Sequence, residues 1–466
     1  GNRPGTKEQS MSAIGIKLRR LARHNSLLGI MRAYAYAGMV GAGPWIWSIV
    51  GILLVGLLGA SPLLPNAIVS DFQVSATYLI AASLIVTGPM QLTLTRFTSD
   101  RLFDRQLDAI LPNFTGALLA VTAGAIMLGL LAAGFAFDAQ SALYRALMVA
   151  GFVLLCDIWI ASVFLAGLKQ YSGILRAFFV GYAVTTVAAV GLKRFGLEGL
   201  LYGFVLGQTL LLLLLLIRVY GGFSASRVVS FDLLRRAHHY PALLLIGLLY
   251  NLGIWIDKIM FWYSPSSGQA VIGSLHASVI YDIPIFLAYL AITPGMAVFM
   301  LRVETEFAGH YRAFNTAIRE GGSLQQIEYA HDAMAQSLRS ALFDIAKVQA
   351  LTVLVVLATG PLLLEAMGIS RLYMPLLSVQ VIATSLQMVF LAIMNSFIYL
   401  DRQRPALALI AMFCALNGCL TAASLAAGPV FYGYGFAIAL LVVVLVGMSW
   451  LDRKLDTLEY EIFMLQ

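Results

Sequence analysis

The sequence predicts an all-α, polytopic membrane protein with about twelve transmembrane helices in two six-helix bundles, related by a pseudo-two-fold axis along the membrane normal. Three observations predict it. Twelve apolar stretches fill nearly the whole 466-residue chain, each long enough to cross a bilayer, for which about 20 residues are needed. The composition is 60% hydrophobic and only 11% charged, with a mean hydropathy of +0.86. Short stretches of the first half recur in the same order in the second. The apolar runs do not alternate with period two, so strands are excluded, and helices satisfy their own backbone hydrogen bonds in hydrocarbon.

The elements follow in chain order. Residues 1–10 are polar and read as a tag or upstream extension; Met11 resembles a native start, and no cleavable signal peptide is expected. Residues 11–27 form a basic amphipathic segment, with Ile14, Leu18 and Leu21 on one side and Lys17, Arg19, Arg20 and Arg23 largely on the other. That pattern fits a cytoplasmic surface helix lying on anionic lipid. The N-terminal bundle occupies 28–223, with spans at 28–60, 71–97, 109–136, 143–168, 172–192 and 198–218. A linker at 224–239 leads to the C-terminal bundle at 240–451, with spans at 240–262, 272–302, 346–367, 373–400, 405–427 and 432–451. A cytoplasmic helical excursion (303–345) interrupts the second bundle, and 452–466 is a cytoplasmic tail. In the excursion, Ile327, Ala330, Met334, Leu338, Ala341 and Ile345 recur at three- and four-residue steps, after a break at Gly321-Gly322-Ser323. Two readings of it stand: a surface helix, or a docking site for a cytoplasmic partner.

Charge sets the orientation. With a cytoplasmic N-terminus and alternating spans, 23 Lys and Arg fall on the inner side and 5 on the outer side, so both termini are expected to be cytoplasmic. The net charge of +7 is this bias summed over short loops, and it requires no nucleic-acid partner. Cys156, Cys414 and Cys419 all lie within spans, match no metal spacing and read as small packing residues.

The internal echoes are three. Gly43-Pro44-Trp45-Ile46-Trp47 in span one parallels Gly253-Ile254-Trp255-Ile256-Asp257 in span seven. Thr87-Gly88-Pro89-Met90 in span two, followed by Arg96, parallels Thr293-Pro294-Gly295-Met296 in span eight, followed by Arg302. Val163-Phe164-Leu165-Ala166, followed by Arg176, parallels Val389-Phe390-Leu391-Ala392, followed by Arg402. Repeats of six spans share one membrane orientation, which suits two bundles around a central cavity.

Ionisable residues deep in spans cost at least about 2.5 kcal/mol each, so they are functional candidates by default. Here they are Asp257 and Lys258 in span seven, Asp282 in span eight and Asp157 in span four. Asp257 and Lys258 are neighbours, so they point about 100° apart on a helix. A pair between Lys258 and Asp282 that fixes helix register is the structural alternative. Tyr281 stands next to Asp282, and His276 lies about one and a half turns earlier. Tyr34, Tyr36, Trp45 and Trp47 in span one, and Tyr250, Asn251 and Trp255 in span seven, combine aromatic faces with hydroxyl and amide groups, a pairing suited to sugar rings. An interfacial aromatic belt accounts for Trp262 and Tyr263 better than for Trp45. These residues, with the four ionisable ones, form the expected substrate pathway. There is no P-loop, no HExxH and no nucleophile elbow, so no enzymatic activity, cofactor or metal is expected.

Met11-Ser12-Ala13-Ile14-Gly15-Ile16-Lys17-Leu18-Arg19-Arg20-Leu21, then Arg32-Ala33-Tyr34-Ala35-Tyr36-Ala37-Gly38 and Gly43-Pro44-Trp45, resemble the opening of PelG-family proteins. The long excursion after span eight fits as well, and the resemblance runs from about Met11 to the C-terminus. It implies a fold like that of the multidrug/oligosaccharidyl-lipid/polysaccharide (MOP) flippase superfamily, MATE transporters included. It also implies export of a galactosamine-rich exopolysaccharide chain across the bacterial inner membrane, as used in biofilms, and assembly with PelD, PelE and the glycosyltransferase PelF. Other readings are a flippase for lipid-linked oligosaccharide, a cation-coupled drug exporter and a non-conducting scaffold for the glycosyltransferase. Three deep Asp against one Lys argue against a diphosphate-linked substrate.

Overall fold

The computed structural model describes residues 27–59, 66–222, 227–236 and 240–464. The leading residues, all but the last residue of the expected surface helix at 11–27, residues 60–65 and parts of the linker lie outside this set. The helices are α1 (Leu27–Gly59), α2 (Asn66–Phe103), α3 (Ile110–Phe135), α4 (Ala142–Gly167), α5 (Tyr171–Gly191) and α6 (Gly196–Gly222). A short α7 (Asp232–Arg236) precedes α8 (Pro241–Tyr263). Then come α9 (Val279–Leu290), α10 (Thr293–Leu301), α11 (Ala308–Arg319) and α12 (Leu324–Ala366). The last are α13 (Met374–Tyr399), α14 (Gln403–Ala427) and α15 (Tyr434–Met464). Among the described residues, eleven helical spans are long and apolar enough to cross a membrane, with α9 to α11 counting as one. There are twelve if the two arms of α1, bent beside Pro44, make one more. Large apolar side chains such as Val187, Ile217, Leu354 and Leu445 point outward. In water this would be a defect; against lipid tails it costs nothing, and packing inside relies on close van der Waals contact instead.

The chain clusters into two compact units. One is Gly43–Asp282; the other joins Gly1–Ala42 to Ile283–Gln466. Contacts therefore do not divide the chain at 224–239. The reason lies in span seven. Gly247 of α8 crosses Gly88 of α2 so closely that a Cβ on either residue would meet the other's carbonyl oxygen. Two glycines let the backbones touch, and α8 joins the first unit. That unit is filled by aromatic contacts such as Phe114 with Phe164, centroids 4.5 Å apart, and by buried Phe72, Phe178 and Phe204.

Four expectations change. Residues 272–278 are not the start of a spanning helix. Strands β1 (Gln269–Ile272) and β2 (Leu275–Ala277) form an antiparallel hairpin, closed by Gly273 at φ 57°, a backbone state that glycine adopts without strain. The linker at 224–239 lies inside the Gly43–Asp282 unit and does not separate two bundles: Ser230 N–H donates to Pro112 O at 2.9 Å and Leu233 N–H to Asn113 Oδ1 at 2.8 Å, with Leu233 buried. Cys419 is exposed and packs against no core, unlike buried Cys156 and Cys414.

The fourth concerns the excursion. The break at Gly321-Gly322-Ser323 is present: Gly321 has φ 67°, and Ser323 and Gln326 form a reciprocal capping box that starts α12. From there α12 runs 43 residues without interruption, about 65 Å at 1.5 Å per residue. The surface helix and span nine are thus one rod, longer than the roughly 30 Å hydrocarbon core. Its stripe of Ile327, Met334, Leu338, Ala341 and Ile345 is buried within the unit. The end of α15 fastens alongside it: Arg339 pairs with Asp452 at 2.7 Å and Asp456 at 2.9 Å, and His331 Nε2 meets Leu455 O at 3.0 Å. The stripe is consumed internally and is not an open docking face. Replacing Leu338 or Ile345 therefore tests folding.

Candidate functional site

The ionisable residues singled out in spans seven and eight converge where α8, the hairpin and the start of α9 pack against α2. Asp257 and Lys258 have no exposed surface. Lys258 Nζ lies 3.2 Å from Asp257 Oδ2 and donates to Ile254 O at 2.8 Å, one turn back. The long lysine stem bends so that adjacent residues, 100° apart at Cα, still pair. Lys258 thus makes an ion pair with its neighbour Asp257, while the Asp282 carboxylate of the pair weighed from sequence is hydrogen-bonded by other groups. Tyr281 Oη donates to Asp257 Oδ2 at 2.6 Å, and its ring stacks on Phe261 at 3.8 Å.

Asp282 is held otherwise. Its carboxylate accepts Trp262 Nε1–H at 2.8 Å and Ser278 N–H at 3.1 Å. Trp262 is buried, so it does not serve the aromatic belt that its sequence position implied. Tyr78 of α2 stacks on Trp262 at 4.5 Å, and the Trp255 ring lies 6.1 Å from it in a tilted arrangement. The Tyr78 hydroxyl grips the hairpin twice, donating to His276 O at 2.9 Å and accepting His276 N–H at 3.2 Å. The His276 ring rests against Tyr263 at 4.8 Å. Span seven is thereby stapled to the beginning of span eight by two aromatic-to-carboxylate bonds, with the hairpin clamped over them.

The other candidates lie elsewhere. Asp157 on α4 is buried and accepts the Thr122 hydroxyl of α3 at 2.9 Å. Trp47 sets its edge against Phe179 at 4.7 Å. Tyr34 is exposed and Tyr36 half-buried on the first arm of α1; the Trp45 side chain is outside the described residues. Tyr250 and Asn251 are half-buried, and Asn251 bonds back to Gly247 O at 2.9 Å, beside the glycine crossing. Sequence reasoning missed Tyr78 and Ser278 and misassigned Trp262. The seven-residue spacing of Trp255 and Trp262, which puts both on one helix face, is the signal that finds the latter. Nothing local marks Tyr78, because its role depends on a hairpin almost 200 residues away.

Among the described residues no cluster of three or more His, Cys, Asp or Glu is placed to hold a metal. What remains is a buried charge pair, a stapled helix junction and a many-span scaffold, a set of parts that fits transport. A model of the PelG family, described as exopolysaccharide exporter (EPS-E), matches residues 11–463. The chain belongs to the PelG exopolysaccharide exporter family. No curated protein matches. Solved structures of MATE and other MOP superfamily transporters show that the PelG-family chain shares their fold. An outward-facing MATE multidrug resistance transporter of that superfamily is 13% identical, with 96% of this chain and 97% of that one covered and a TM-score of 0.61. MATE in the bent conformation is also 13% identical, with 97% and 99% covered and a TM-score of 0.64. A MOP superfamily transporter from Pyrococcus furiosus, described by the reversed polarity of its binding pocket, is 12% identical, with 91% and 96% covered and a TM-score of 0.59. The chain is therefore a multi-pass membrane protein of transporter architecture.

Proposed function

We propose that this protein translocates a Pel-type, galactosamine-rich exopolysaccharide across the bacterial inner membrane, in a complex with the glycosyltransferase PelF and with PelD and PelE. The observation that carries the reading is the exporter-family match over nearly the full chain, on a scaffold with the spans of a MOP transporter. Asp257, Asp282 and the surrounding aromatic residues are proposed to serve the substrate pathway at the span seven–eight junction from beneath its surface, since they are buried and bonded to one another. The test is a strain lacking this protein but retaining the glycosyltransferase. Polymer is expected to accumulate in the cytoplasm or not to be made, with none secreted, and complementation restores secretion. Normal secretion without the protein refutes the proposal; intracellular lipid-linked oligosaccharide in place of free polymer supports the flippase reading instead.

Both termini are proposed to be cytoplasmic, on the 23-to-5 distribution of Lys and Arg. Ser266, in the turn before the hairpin, and Ser323, at the start of α12, are both exposed and fall on opposite sides in this topology. In a chain freed of Cys156, Cys414 and Cys419, Ser266→Cys is expected to react with a membrane-impermeant maleimide added outside spheroplasts, and Ser323→Cys only after lysis. The opposite pattern overturns the orientation.

A further inference from the structure

Span eight departs from α-helix twice. At Ala291–Ile292 it breaks, because Pro294 has no N–H to offer the carbonyl of Leu290. Thr293 Oγ1 donates to that carbonyl instead, at 2.8 Å. Gln349 of α12 donates to Ile292 O at 3.2 Å, Thr384 of α13 donates to Ala288 O at 3.1 Å, and Ser385 of α13 donates to Gln349 Oε1 at 3.0 Å. Ten residues on, Arg302–Phe307 winds as a π-helix, with the Thr305 hydroxyl bonded to Met300 O at 3.0 Å. Here too α12 and α13 supply the ties: Arg302 pairs with Asp344 at 3.0 Å, and Glu304 accepts the Tyr399 hydroxyl at 2.9 Å.

Between these joints lies α10, nine residues long. The first arm of α1 rides on it, with Gly38 against Thr293 and Ala297 and Gly41 against Met296 and Met300. We propose that α10 and this arm of α1 form one moving segment, hinged at Ala291–Ile292 and at Arg302–Phe307, and that transport requires its side-chain ties to α12 and α13 to release and re-form. Backbone groups freed inside a bilayer must find partners. A continuous helix supplies them permanently, whereas the ties here come from side chains that can exchange them. Breaks and π turns tolerated at such cost cluster at functional positions.

The test locks one joint. Glu304→Cys with Tyr399→Cys, in a chain whose Cys156, Cys414 and Cys419 are replaced by alanine, is treated in cells with a reducible bis-methanethiosulfonate. Secretion is expected to stop in the cross-linked population and to return on reduction; unchanged secretion with complete cross-linking overturns the proposal. If that pair does not accumulate in membranes, Ile292→Cys with Gln349→Cys locks the other joint, where Gln349 already bonds to Ile292 O. This readout rests on the translocation reading, so a second one is independent of substrate. In nanodiscs, the amides of 291–292 and 302–307 are expected to exchange with deuterium about tenfold faster than those of the facing α12 residues 342–350. Equal protection shows a static segment whatever the substrate is.

Discussion

Lys258→Met is expected to cost the folded protein about 3–5 kcal/mol, the penalty for leaving one member of a buried ion pair without its partner. Neither Lys258 nor Asp257 has exposed surface, and the substitution removes the ammonium 3.2 Å from the Asp257 carboxylate while the Tyr281 hydroxyl stays on it at 2.6 Å. The double variant Asp257→Asn, Lys258→Met removes both charges, keeps a group able to accept from Tyr281, and is expected to recover most of the loss. The thermal midpoint of detergent-solubilised protein, followed by size-exclusion fluorescence, reads both effects. An unchanged midpoint for Lys258→Met sinks the argument. Secretion by the double variant then separates two roles: a stable protein that exports polymer makes the pair architectural, and a stable protein that does not places the charges in the transport cycle.

Gly247→Ala is the second large effect. The new Cβ meets the carbonyl oxygen of Gly88 on α2, and that neighbour is backbone, which cannot turn aside as a side chain can. Overpacking costs about 1–3 kcal/mol where side chains can adjust; a backbone obstacle on both sides of the crossing puts the cost at the upper end of that range or above it. Gly88→Ala is expected to behave alike. Gly124→Ala on α3 has nothing within 4 Å and serves as the control, with a neutral or slightly stabilising effect. The yield of monodisperse protein after extraction distinguishes them, and a Gly247→Ala yield equal to that of Gly124→Ala would remove the crossing as the reason that span seven joins the first unit.

The span pattern was legible because hydropathy is a property of each stretch alone. Leu210–Leu216 cannot face water whatever surrounds it, and Gly321-Gly322-Ser323 ends a helix by local conformation. The start of span eight was misread for the same reason. Residues 270–280 are apolar enough for hydrocarbon, yet the Gly273 turn and the grip of Tyr78 on His276 fold part of them into a hairpin. Hydropathy does not distinguish burial in lipid from burial beneath a hairpin. The amphipathic stripe of α12 gave the right period and an open question of what covers it; the packing of α11 and of the π-helical segment, with the end of α15 fastened alongside, supplied the answer.

By itself the sequence determined that this is a helical, many-span membrane protein, where most of its spans lie, and which costly charges lie within them. Those properties are sums over neighbouring residues. Only the tertiary structure decided that Lys258 pairs with Asp257, that Asp282 belongs to Trp262, that Gly88 and Gly247 draw span seven into the first unit, and that α10 lies between two braced joints. Each of those depends on which distant segment arrives within about 3–4 Å, the range over which hydrogen bonds and packing contacts act. No local property of the chain specifies that arrival.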